Sequence, residues 1–138
     1  MIDKKRYMLD TNTVSYIIKG NYPDIRTRLL EIPMSAICIS VVTEAELLLG
    51  VAKKPKAKHL PIAVKEFLLR VDILPWASNA AKVYANLRAT CEKEGKSLGN
   101  MDMLIAAHAK AENAILVTSD RAFYNLVEHL NLEDWINP

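Results

Sequence analysis

The run Tyr7-Met8-Leu9-Asp10-Thr11-Asn12-Thr13 decides how this chain is read: three apolar residues stop at an acid, and a polar turn follows. Such a junction marks the mouth of a strand. A second one appears near the C-terminus, where Ala114-Ile115-Leu116-Val117-Thr118-Ser119 leads into Asp120. Functional groups of open α/β sheets gather beyond the carboxyl ends of the strands, so Asp10 and Asp120 are expected to meet there.

Between these junctions, short apolar runs at 6–9, 36–40, 71–74 and 114–118 alternate with amphipathic segments. That order predicts a mostly parallel sheet. Leu60, Val64, Phe67, Leu68 and Val71 fall on one helical face, and Ala80, Tyr84, Leu87 and Cys91 repeat the spacing in a helix expected from Ser78 to Gly95. The next helix is expected over about 100–113. A last short helix would carry Phe123, Leu126, Val127 and Leu130 on one side, before an edge strand at 132–135.

At 138 residues the chain is expected to form one domain, 1–138, large enough to bury roughly two thirds of its unfolded surface. Hydrophobic residues make up 51% and charged residues 25%, which points to a globular chain and away from a disordered one. No apolar run approaches the roughly 20 residues of a membrane span, and no signal-peptide core precedes Asp10, so a cytoplasmic location is expected. Cys38 and Cys91 lack the spacing of a zinc site or a disulfide framework and read as small core residues. A net charge of +2 does not by itself announce nucleic-acid binding.

Two further acids lie near predicted helix starts: Glu46, after the strand ending at Ser40, and Asp102, after Asn100. Right-handed crossovers bring such helix starts to one sheet edge. Four carboxylates gathered with no Lys or Arg among them repel one another unless a divalent cation lies between them. Magnesium suits hard oxygen donors and keeps waters for substrate and nucleophile. The chemistry implied is metal-assisted phosphoryl hydrolysis, with Thr11, Asn12, Thr118 and Ser119 placed to orient the acids.

Each acid also has a purely structural reading. Thr43-Glu44-Ala45-Glu46 is a capping box, Asp102 complements a helix dipole, Asp120 suits an N-cap and Asp10 suits a turn. His108, six positions after Asp102, is expected in the core or at its boundary. Glu44, Asp72 and Asp134 read as solvated or turn residues. The basic stretch from Lys53 to His59 reads as a solvated loop between helices.

Taken in order, Met8-Leu9-Asp10-Thr11-Asn12, Ser40-Val41-Val42-Thr43 with Glu46 and Gly50, Gly99-Asn100-Met101-Asp102 with Ile105-Ala106-Ala107-His108-Ala109, and Leu116-Val117-Thr118-Ser119-Asp120 resemble the PIN-domain ribonucleases. The likeness is to their VapC branch, the toxins of bacterial toxin–antitoxin pairs. The ending Leu132-Glu133-Asp134-Trp135 is similar to VapC toxins of enteric and related bacteria. The resemblance implies a three-layer α/β/α sandwich around a mostly parallel sheet and an Mg2+- or Mn2+-dependent endoribonuclease. Asp10, Glu46 and Asp102 would be its core acidic ligands, with Asp120 as a more variable fourth. It further implies a homodimer, neutralisation by a VapB-type antitoxin and tRNA as the RNA cut, notably the anticodon stem-loop of initiator tRNA. The rival is a non-catalytic PIN-like module that binds RNA or an antitoxin. A haloacid-dehalogenase-type phosphatase would need an acid where Asn12 stands, and a response-regulator receiver would need an acidic pair near the first strand.

Overall fold

A computed structural model describes residues 5–138; the first four residues of the expected 1–138 domain lie outside it. Five strands form one sheet: β1 (Tyr7–Leu9), β2 (Ile37–Ser40), β3 (Asp72–Leu74), β4 (Ile115–Val117) and β5 (Leu132–Glu133). Their order is β3-β2-β1-β4-β5, and every neighbouring pair is parallel. The chain winds outward from β1 first to one side and then to the other, so the order reverses between β1 and β4. That reversal opens a crevice at their carboxyl ends.

Period-two alternation sends the strand side chains to two separate cores. Met8, Cys38 and Leu116 pack with Leu87 and Cys91 of α5 (Ser78–Lys93) and Met103, Ile105 and Ala106 of α6 (Asn100–Ala111). Tyr7, Leu9, Ile37, Ile39 and Val117 face the other way. They pack with Val14 of α1 (Thr11–Lys19), Ile25 of α2 (Pro23–Leu30), Leu47 of α3 (Val41–Ala52) and Val64 of α4 (Leu60–Arg70). Helices therefore cover both faces, and the expected three-layer α/β/α sandwich is the observed one. Cys38 and Cys91 are free and buried. No described helix is long and apolar enough to cross a membrane.

Several local expectations are corrected. Thr11-Asn12-Thr13 is no turn but the first turn of α1, because Asp10 caps the helix directly at the end of β1. Helix α3 begins at Val41 on a Ser40 cap, so Thr43 already lies inside it and the predicted capping box does not form. Its start is earlier because the Ser40 hydroxyl is free to accept from Val42 N–H at 3.1 Å. Helix α5 starts after Ala77, with Ser78 as its first residue and the Asn79 side chain accepting from Ala80 N–H. The last helix, α7 (Arg121–Tyr124), is a single turn continued by hydrogen-bonded turns through His129. Phe123, Leu126 and Leu130 are buried as expected, but Val127 is 58% exposed because these tighter turns carry it off that face. The final strand is an edge strand of two residues, and Asp134 and Trp135 leave it. The segment from Lys53 to His59 is an exposed loop between α3 and α4, as read.

Candidate active site

Asp10 and Asp120 flank the crevice. The backbone N–H of Asp10 donates to the Val117 carbonyl at 3.1 Å, which ties the mouth of β1 to that of β4. Its side chain is 3% exposed and accepts from Thr13 N–H at 2.8 Å, while the Thr13 hydroxyl donates to the Val117 carbonyl at 3.2 Å. Burial raises the pKa of Asp10; hydrogen bonds from Thr118 and Thr13 oppose the rise, and the charge of Asp120 adds to it. Asp120 caps α7 through one oxygen, accepting from Ala122 N–H at 2.9 Å, and its own N–H donates to the Thr118 hydroxyl at 3.1 Å. Its second carboxylate oxygen has no hydrogen-bond partner among the described residues.

Asp102 arrives from the other face of the sheet. Helix α6 runs into β4 through Asn113, whose positive φ of 52° makes the reversal, so the N-terminal turn of α6 lies toward the carboxyl edge. Its carboxyl group is pushed up to about 6, first by burial and then by the charges of Glu46, Asp120 and Asp10. All four acids therefore share one electrostatic field, although they come from four separate elements.

Glu46 stands in the second turn of α3 and does not cap it. It accepts from the Thr11 hydroxyl at 2.5 Å, and that hydroxyl also lies 3.3 Å from the buried Thr43 hydroxyl. Thr11 thus hydrogen-bonds to the Glu46 carboxylate, and Thr118 lies beside Asp10 and accepts from the Asp120 backbone. Asn12 is exposed and makes no side-chain hydrogen bond among the described residues, so the orienting role expected of it is not seen. Ser119 turns away: its hydroxyl donates to Asp134 at 2.7 Å.

Asp134 keeps the turn half of its solvated-or-turn reading, capping the N–H groups two and three residues on, but it is buried and not solvated. It is 8% exposed and also accepts from the Arg121 guanidinium and from the N–H groups of Ile136 and Asn137. Burial would raise its pKa, but these donors together hold it below the ordinary carboxylate range. The Asp-Trp ending carried no sign of this, because its partners lie thirteen and fifteen residues back. His108 is fully buried, in line with the core reading; burial lowers its pKa, and Nδ1 meets the Ser40 hydroxyl at 2.7 Å.

Among the described residues no Lys or Arg pairs with any of the four acids. An uncompensated set of oxygen donors is the donor chemistry of a hard divalent cation. The tightest three-residue donor group on the described surface lies elsewhere, at Glu94, Glu128 and His129, where Lys96 already neutralises Glu94 at 3.2 Å. Among the described residues no three of the four acids bring donor atoms within 4.8 Å of one another, so they do not form a closed cage for an ion.

The PIN domain family matches residues 7–128, spanning Asp10, Glu46, Asp102 and Asp120. This chain belongs to the PIN-domain family. Within it the likeness is to the VapC ribonucleases. The chain is 35% identical to "Ribonuclease VapC2" of Haemophilus influenzae over 95% of its own length and 98% of the relative's. It is 32% identical to "tRNA(fMet)-specific endonuclease VapC" of Shigella flexneri over 94% and 98%. Among solved structures, VapBC2 from Rickettsia felis bound to a promoter DNA fragment superposes with a TM-score of 0.84 at 37% identity, covering 94% of this chain and 98% of that one. The PIN domain described here thus keeps the relatives' length almost end to end.

Proposed function

We propose that this PIN domain is an endoribonuclease toxin that hydrolyses RNA phosphodiester bonds at Asp10, Glu46, Asp102 and Asp120 with the help of Mg2+ or Mn2+. The observation that carries the reading is the convergence of Asp10, Glu46, Asp102 and Asp120 from four separate elements with no Lys or Arg paired to any of them among the described residues, an arrangement in which burial and the other three charges push the Asp102 carboxyl up to about 6. Acids serving only as caps have no reason to crowd into one field at a cost in repulsion. A bound divalent cation would neutralise that repulsion, activate water for attack on phosphorus and stabilise charge on the leaving oxygen.

The chain's own residues supply the frame for this chemistry. Thr11 steers Glu46, Thr118 accepts from the Asp120 backbone beside Asp10, and the α1 and α7 caps fix the two strand-end acids. The first turn of α6 adds the positive end of its dipole beside Asp102, which favours an anionic phosphate nearby. The name of the Shigella flexneri relative supports tRNA, including initiator tRNA, as the RNA cut, and a cytoplasmic site of action is part of the same reading.

The reading includes a homodimer and a VapB-type antitoxin partner, the latter supported by the Rickettsia felis VapBC structure. An apolar groove between α1, α2 and α4, lined by Ile17, Ile18, Leu29, Leu30 and Phe67, is the surface offered to the antitoxin. Leu30 and Met34 in its lining are 76% and 43% exposed, the apolar surface a partner would cover.

The decisive experiment incubates purified protein with total bacterial RNA in Mg2+ or Mn2+, with EDTA, and with Asp102→Asn, and maps new ends by sequencing. Discrete tRNA cuts that vanish with chelator and variant are expected. The side-chain caps at Asp10 and Asp120 favour the rival, a non-catalytic binding module, and RNA left intact by folded, metal-supplied wild type would select it.

A further inference from the structure

Asp134 grips the chain on both sides of Asp120. Ser119 donates to its Oδ1 at 2.7 Å and the Arg121 guanidinium pairs with its Oδ2, so the two sequence neighbours of Asp120 hang from one buried carboxylate. That carboxylate is anchored in turn by the Ile136 and Asn137 N–H groups at 2.9 and 3.0 Å. Tyr124 completes the frame: its hydroxyl donates to the Thr118 carbonyl at 2.9 Å, and its ring lies 4.2 Å beneath the Arg121 guanidinium. The C-terminal segment, outside the sheet, thus sets the backbone on which Asp120 is mounted.

Charge adds a second effect. Arg121 adjoins Asp120 in sequence, and a guanidinium free to swing would pair with that acid and cancel the charge a cation requires. Asp134 occupies it. A seal for the chain terminus would need no grip on residues 119 and 121 together, since the two turn N–H groups already satisfy the segment.

We propose that Asp134 is a positioning residue for Asp120, orienting it through Ser119 and keeping Arg121 away from it, so that the C-terminal segment tunes how tightly the acidic site holds a divalent cation. This inference rests on the reading of the four acids as a metal site. It is separable from the nuclease reading, because it concerns binding and not cleavage.

The test titrates the full-length protein with Mn2+, reading free ion by electron paramagnetic resonance, with a thermal melt on each variant. Loss of a group that orients a ligand weakens metal binding roughly ten- to hundredfold, and Asp134→Asn is expected in that range. Asp120→Asn should weaken it comparably, the double variant no further, and Ser119→Ala should weaken it less but in the same direction. Adding Arg121→Gln to Asp134→Asn should restore part of the affinity, which a purely structural lock would not do. Wild-type affinity in both Asp134→Asn and Ser119→Ala, or in Asp120→Asn, overturns the proposal; so does wild type that binds no Mn2+, which removes the metal reading as well. If Asp134→Asn does not fold, Ser119→Ala and Asp120→Asn decide. Mn2+ bound as expected by a wild type that cuts no RNA overturns the nuclease reading and leaves the positioning role standing.

Discussion

The hydroxyl of Ser40 lies 2.7 Å from Nδ1 of His108, both side chains fully buried, and this contact joins the helix that carries Glu46 to the helix that carries Asp102. Ser40 is shared: the same oxygen caps α3 by accepting from Val42 N–H. On the other side of the ring, Nε2 has no hydrogen-bond partner among the described residues, and Glu112 Oε1 stands 4.0 Å away. The Ser40 hydroxyl is therefore the one close hydrogen-bond partner of this buried imidazole among the described residues, with the Pro75 backbone as a weaker neighbour.

Ser40→Ala should accordingly destabilise the protein by about 1–3 kcal/mol, the range for leaving a buried polar group without its partner. Ser40→Thr keeps a hydroxyl and should lose less. Urea unfolding followed by circular dichroism checks this; an unchanged midpoint for the alanine variant would show that the pair is not an anchor.

Asp10 and Asp120 each cap a helix, and Asn caps about as well as Asp. Asp10→Asn is thus expected to keep the fold and its melting temperature while lowering metal-dependent RNA cleavage by roughly two orders of magnitude or more. Full cleavage by folded Asp10→Asn would return this acid to a capping role alone.

The raised pKa of Asp102 fixes a pH dependence. Between its ordinary value of 3.8 and about 6 the folded protein holds a proton that the unfolded chain releases, so this group costs stability as pH rises through that window. His108 acts in the opposite sense, since its lowered pKa costs stability as pH falls below 6.5. The comparison with Asp102→Asn isolates the first effect: without metal the variant should gain melting temperature over wild type at pH 7.5 and little at pH 4. Added Mg2+ should narrow the gap at pH 7.5 by binding the ionised wild-type site. Equal melting curves at both pH values would remove the shared field.

Leu30→Glu places a charge in the apolar groove at a position already 76% exposed, so the melting temperature should change little. Capture of a co-expressed cognate antitoxin by the tagged protein should fall at least about tenfold, the effect of losing some 1.4 kcal/mol of interface. Undiminished capture would move the antitoxin to another face.

Much of this was legible in residue order. Apolar runs at β1, β2, β3 and β4, separated by helical stripes, identified a parallel sheet, the family resemblance added helices on both faces, and the stripe Leu60, Val64, Phe67 and Leu68 packs in the core its period implies. The misplaced boundaries share one cause. Local propensity suits Thr11 to a turn and Thr43 to a cap, but the strand-end residues Asp10 and Ser40 cap the backbone two or three positions on and start each helix earlier. Val127 went astray because the last helix frays after one turn.

Sequence alone determined the elements and nominated the four acids, because apolar periodicity and the strand-to-acid junction are local properties that survive without coordinates. It also supplied the family resemblance. Only the tertiary structure decided which polar groups serve those acids. Thr11 meets Glu46 across thirty-five residues, Ser40 meets His108 across sixty-eight, and Asp134 reaches back to Ser119 across fifteen. Hydrogen bonds at such separations leave no periodic trace, since their partners become neighbours only when β2, β1 and β4 line up side by side and bury their side chains between two layers of helices.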